Sequence, residues 1–171
     1  MKSIVIYSSL TGNTKQVAEA ITSVLPAGTL CVSMKELPPD VSSYDLVFAG
    51  FWVDKGTANK EARDVLGTLH NSHIALFATA GVPPQMAHAK ESLINAANCL
   101  PDGVEPVGTF ICQGKVDPKV IEMMYKMFPK GHSHGQSADR DARHKQAAVH
   151  PNEDDFKAAQ DFAKDILIKL S

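Results

Sequence analysis

The 171-residue sequence predicts a doubly wound α/β sandwich, a parallel sheet held between two layers of helices. Three observations lead there. Short continuous apolar runs alternate with segments whose apolar residues recur at helical spacing. The runs are rich in β-branched and aromatic residues and nearly free of charge, as strands covered on both faces are. The alternation repeats five times, and right-handed crossovers then put helices on both sides of one sheet.

The strand candidates are "SIVIYSS" (3–9), the weaker "GTLCVSM" (28–34), "DLVFAGF" (45–51), "HIALFATAG" (73–81) and "PVGTFICQG" (106–114). Between them run three helical stripes: Val17, Ile21, Val24 and Leu25; Ala62, Val65, Leu66 and Leu69; Met86, Ala89, Leu93, Ala97 and Leu100. Asp117 before Pro118 caps a fourth stripe made of Val120, Ile121, Met124, Met127 and Phe128. Asn152, with Asp155 three residues on, caps a fifth, which runs from Phe156 through Ala159, Ala163, Ile166 and Leu167 to Leu170. Residues 129–150 are polar, hold four of the seven histidines and show no apolar stripe, so they read as a long surface loop.

Composition narrows the function. With 44% hydrophobic and 21% charged residues the chain fills one domain, residues 1–171. A formal net charge of −2 supplies no positive field for nucleic acid or an anionic membrane. Every apolar run falls short of the roughly 18 residues that cross a bilayer. Cys31, Cys99 and Cys112 are widely spaced and odd in number, and no basic and apolar leader opens the chain. A reduced, cytoplasmic protein is expected. "GHSHG" (131–135) lacks partners at recognised ligand spacing, so no metal is assigned, and with no GxSxG elbow and no CxxC no catalytic nucleophile is assigned either.

The chemistry concentrates in "YSSLTGNTKQ" (7–16), where the first strand gives way to the first helix. Ligands of open α/β sheets bind at the carboxyl ends of strands, where a helix N-terminus offers unpaired N–H groups and the positive end of its dipole. Ser8, Ser9, Thr11 and Thr14 add hydroxyls, Asn13 an amide, and Gly12 lets a ligand come close to the backbone. All are neutral donors, which suits a phosphate held by oriented dipoles. An ordinary helix cap, Asn13 with Gln16, is the plainer alternative. The spacing fits neither GxxxxGK[ST] nor GxGxxG, since Gly12 is the turn's sole glycine. A phospho-acceptor domain would want acidic residues where Tyr7, Ser8 and Ser9 stand.

"SSLTGNTKQVAEAI" resembles the phosphate loop of flavodoxins, [ST]-x-T-G-x-T, with Ser9, Thr11, Gly12 and Thr14 in the defining positions. The resemblance extends along almost the whole chain and implies strand order 2-1-3-4-5 with FMN at the switch point. It assigns Ser8, Ser9, Leu10, Thr11, Gly12, Asn13 and Thr14 to the phosphate. Phe51, Trp52, Val53, Lys55, Gly56 and Thr57 in the second loop, and Thr79, Ala80, Gly81 and Val82 in the third, go to the ring system. Trp52 would stack on the flavin, or else serve as a rim aromatic; Gly56 would free a carbonyl to turn towards flavin N5, or else simply make a turn. Lys115, at the end of the fifth strand, reads as a solvated lysine. The implied function is electron transfer between a reductase and an acceptor enzyme. An NAD(P)H-dependent FMN reductase of quinones or other small acceptors is the alternative, in which the histidine-rich loop would border the substrate site. A flavin-free interaction module is the third.

Overall fold

The computed structural model describes residues 1–171 and contains the expected sandwich. Its strands are β1 (Ser3–Tyr7), β2 (Leu30–Ser33), β3 (Leu46–Asp54), β4 (Thr57–Ala58), β5 (His73–Ala80) and β6 (Gly108–Gln113). The helices are α1 (Asn13–Thr22), α2 (Lys60–Leu66), α3 (Ala87–Ala97), α4 (Pro118–Met127), α5 (Ala138–Ala147) and α6 (Glu153–Leu170). The main sheet is parallel throughout, in the order β2-β1-β3-β5-β6, which is the expected 2-1-3-4-5 once β4 is set apart. The extra strand comes from a two-residue turn. Lys55 at φ 50° and Gly56 at φ 77° both take left-handed backbone, the requirement of the tight turn that joins antiparallel strands, so Asp54 pairs with Thr57. The third strand therefore continues past Phe51 to Asp54. No helix is long and apolar enough to cross a membrane.

Period-two alternation sorts the sheet's side chains into two cores. Ile4 and Ile6 of β1, Val47, Ala49 and Phe51 of β3, and Ile74, Leu76 and Ala78 of β5 pack with Ala62 and Leu66 of α2. Val5, Leu46, Phe48, Ala75 and Phe77 face the other way, onto Val17, Ala18 and Ile21 of α1 and Ala159, Ala163 and Ile166 of α6. Inside that second core the Phe77 ring lies against the backbone of Gly50, where an added Cβ would stand 2.1 Å from the ring. α6 starts on the capping box foreseen: Asn152 Oδ1 accepts from the N–H groups of Asp154 (3.1 Å) and Asp155 (3.3 Å), and Asp155 Oδ2 accepts from Asn152 N–H (2.8 Å).

One expectation needs correction. The 129–150 segment is not loop throughout, for α5 occupies ten of its residues. Ser137 Oγ accepts from Arg140 N–H (3.2 Å), Asp139 and Asp141 sit in the first turn and His144 and Lys145 in the last, so caps and dipole complementarity specify this helix. It buries only Ala147, which leaves no stripe for periodicity to detect. α4 has its predicted stripe and cap, with Asp117 Oδ1 accepting from Lys119 N–H at 2.8 Å, yet none of its residues is buried. It stands at the edge of the carboxyl end of the sheet, with Met123 56% and Met127 67% exposed.

Two outcomes are expected. Gly50→Ala forces Phe77 out of its rotamer and lowers stability by about 1–3 kcal/mol, read from the midpoint of urea unfolding. His144 Nδ1 lies 3.1 Å from Tyr125 Oη, which donates to Asp141 Oδ1 at 2.9 Å. Burial, helped by Arg140 and Arg143 and opposed by Asp141, holds the His144 pKa below its ordinary 6.5. The neutral ring therefore contributes its stability above that ordinary value and loses it as pH falls through the depressed one. Amide exchange in α5, corrected for intrinsic rates, should speed up between about pH 7 and about pH 5, and should stay flat in His144→Gln.

Candidate functional site

The carboxyl edge of the sheet holds a cleft of about 360 Å³ bordered by four chain segments. The first is the turn from β1 into α1. Ser8 N–H donates to Gly50 O (2.9 Å), keeping the chain on the sheet for one more residue. Ser9 Oγ then accepts from Gly12 N–H (3.1 Å) and Lys15 N–H (3.3 Å), folding the turn on itself. Gly12, at φ 94°, takes the N-cap position in left-handed backbone. Asn13, the cap of the plainer alternative, is instead the first helical residue, and its Nδ2 crosses to Lys115 O (2.8 Å). With a glycine cap, the N–H groups of Ser9, Leu10, Thr11, Asn13 and Thr14 find no acceptor in the protein. Thr14 Oγ1 is buried 2.9 Å from Thr79 Oγ1, joining the helix N-terminus to the end of β5.

The second segment is the β3–β4 hairpin. Trp52 pairs across the sheet with Thr79 and is half-buried, and it borders the cleft together with Val53, Asp54 and Lys55. Thr79, Ala80 and Gly81 form the third side. A Cβ on Gly81 would sit 2.6 Å from Val116 Cγ2, so only glycine admits the fourth segment this close. That fourth segment is the β6–α4 connection with the first turns of α4: Gly114, Lys115, Val116, Asp117, Val120 and Met124. Gly114 N–H donates to Ala80 O (2.8 Å), and a Cβ there would stand 2.8 Å from Asn13 Nδ2.

Eleven of the residues read from the sequence therefore converge on one cleft: Ser9, Leu10, Thr11, Asn13, Thr14, Trp52, Val53, Lys55, Thr79, Ala80 and Gly81. Six others do not border it. The Ser8 hydroxyl donates a hydrogen bond to the Glu61 carboxylate and accepts one from Asn59 Nδ2 (2.8 Å), a part-buried bridge from the end of β1 to α2. Gly12 shapes the turn, and Phe51 belongs to the core. The Gly56 carbonyl accepts from Asn95 Nδ2 (2.8 Å) on α3, which ties it away from the cleft. Thr57 and Val82 lie beside their loops without reaching the opening. Asp54, Gly114, Val116, Asp117, Val120 and Met124 were not foreseen. The glycine ending "ICQG" was the available signal for the β6 side, and the i, i+4 pair Val120 and Met124 the signal for α4.

Besides the charged Asp54, Lys55, Lys115 and Asp117, the lining has two chemistries. Free N–H groups, hydroxyls and one amide gather at the start of α1, with no charged side chain between Ser8 and Thr14. Trp52, Val53, Val116, Val120 and Met124 supply an apolar wall. Such a site takes a molecule with an anionic end and a broad apolar body. Thiol chemistry is absent from it: Cys112 is buried in β6, and burial pushes its pKa up to about 12. His132 and His134 pack instead on Phe128, with ring centroids 4.6 and 5.3 Å away.

Comparison with known proteins agrees with this geometry. The family model described as a flavodoxin domain matches residues 4–164. The chain is 36% identical to the flavodoxin-like domain-containing protein BilS of Clostridioides difficile strain CD3, over 100% of this chain and 99% of that one. Among solved structures, the flavodoxin of Streptococcus pneumonia TIGR4 superposes with a TM-score of 0.57 at 13% identity, over 98% of each chain. A Lactobacillus acidophilus flavoprotein in complex with FMN superposes at 0.52 and 19% identity, over 65% of this chain and 93% of that one.

Ser8→Ala removes the hydroxyl between Glu61 and Asn59 and leaves both side chains short of a partner. The expected cost is about 1–3 kcal/mol in urea unfolding, with the far-UV spectrum unchanged.

Proposed function

Because the chain belongs to the flavodoxin family, we propose that it carries electrons between a reductase and an acceptor enzyme, with FMN as its cofactor. When bound, FMN supplies the reversible acceptance of one or two electrons. The observation behind this reading is the β1–α1 turn: five backbone N–H groups without acceptors, framed by Thr11, Asn13 and Thr14, beside an apolar cleft. The donor set fits the cofactor, because a phosphate ester needs several convergent donors and a flavin ring needs a flat apolar slot.

The residues divide the work accordingly. The turn from Ser9 to Thr14 binds and orients the phosphate end. Trp52, Val53, Val116 and Met124 exclude water from the ring's faces and edge. Thr79, Ala80 and Gly81 offer backbone groups at the end of β5, where Gln113 Nε2 already donates to Gly81 O at 3.4 Å. A dry wall raises the cost of negative charge beside it, so the chain favours a low reduction potential. With a net charge of −2 there is little long-range steering, and partner choice rests on the surface around the opening.

Purified protein should be yellow or turn yellow when given FMN. Thr11→Val with Thr14→Val should weaken FMN binding by about tenfold or more, measured by quenching of flavin fluorescence. Anaerobic NADPH alone should leave the oxidised spectrum in place, and NADPH with a flavodoxin reductase should bleach it. A wild-type chain that takes up no FMN refutes the assignment, and a double variant that holds it equally tightly removes the two hydroxyls from the phosphate's donors. Prompt bleaching by NADPH alone moves the chain to the reductase reading.

A further inference from the structure

We infer that Lys115 is the counter-ion of the bound phosphate, which makes this a charged phosphate site and a selective one. The inference rests on the proposed FMN function. Beside the main cleft a second hollow of about 330 Å³ opens between the start of α1 and the β6–α4 turn, and Lys115 borders both. Leu10, Thr11 and Asn13, all from the turn with the free N–H groups, share that second hollow.

The backbone of Lys115 is held on both sides. Its N–H donates to His150 O (2.8 Å), and its carbonyl accepts from Asn13 Nδ2 (2.8 Å). Gly114 makes this possible, since any Cβ there would meet Asn13. The lysine is thereby anchored to the first residue of α1, with its flexible stem starting at the rim of the hollow.

The ammonium has no competing partner, because no carboxylate lies within 4.0 Å of it. Lys15, the nearest cation in sequence to the turn, is paired with Glu19 at 3.9 Å. Lys55 borders the main cleft from the hairpin but not the second hollow. Asp117 borders both as well, and it keeps its negative charge while one of its oxygens caps α4 through Lys119 N–H at 2.8 Å, so without Lys115 this corner would be anionic. A dianionic ester seated on the α1 N-terminus would thus have beside it, on the adjoining turn, the cation that borders both hollows.

The test compares FMN with riboflavin, which lacks the phosphate, in titrations of apoprotein at low and high salt. In Lys115→Met, FMN affinity should fall about tenfold at low salt, the lower range for losing a charge-assisted hydrogen bond, while riboflavin affinity stays unchanged. The salt dependence of FMN binding should flatten, and Lys115→Arg should restore both affinity and salt dependence. Equal losses for FMN and riboflavin, or an unaltered FMN affinity and salt dependence, overturn the role of Lys115 and leave the FMN assignment standing. A wild-type chain that binds neither flavin overturns the assignment, and this inference with it.

Discussion

The first turn of α1 is the element on which the cleft depends. A helix begun on a glycine cap would fray at an exposed N-terminus, since of its orphan N–H groups only that of Lys15 finds a side-chain acceptor, Ser9 Oγ. Here two cross-braces hold it. The buried Thr14–Thr79 hydroxyl pair fastens it to β5, and the Asn13 amide fastens it to the chain leaving β6. The donors remain free because other groups do the fastening. Ligand-binding capacity and local stability thereby come from different atoms of the same two residues.

That division explains which features were legible in the sequence. The turn announces itself because an apolar run breaks into small polar residues and helical periodicity resumes at once. The layered sandwich was legible for the same reason, since five nearly uncharged runs leave little choice of layer architecture, and the strand order followed from the turn's resemblance to the flavodoxin phosphate loop. Ser8 shows the limit. Its partners, Asn59 and Glu61, lie more than fifty positions away, so a hydroxyl in a polar turn looks like a ligand donor although it is a brace. Gly56 is similar: a turn glycine is visible locally, but the amide of Asn95 that captures its carbonyl belongs to another helix.

α4 and α5 mark a second limit. Periodicity reports how a helix would bury itself, and neither of these helices is specified by burial. α5 follows from its caps and end charges, signals carried by single residues inside a polar run. α4 has the apolar stripe of a core helix and turns part of it, Val120 and Met124, towards the cleft, leaving Met127 in water.

The interlock of Gly50 with Phe77 links two central strands through one missing side chain and one full ring. Positions 50 and 77 therefore form a single volume shared between neighbours. Across relatives of this fold the two should covary: a methyl or larger group on β3 demands a trimmed partner on β5, and a bulky partner demands bare backbone. Because Ser8 hangs from the Gly50 carbonyl, a misfit deep in the sandwich would be felt one residue from the ligand turn, so the packing of the interior and the grip of the site evolve under one constraint.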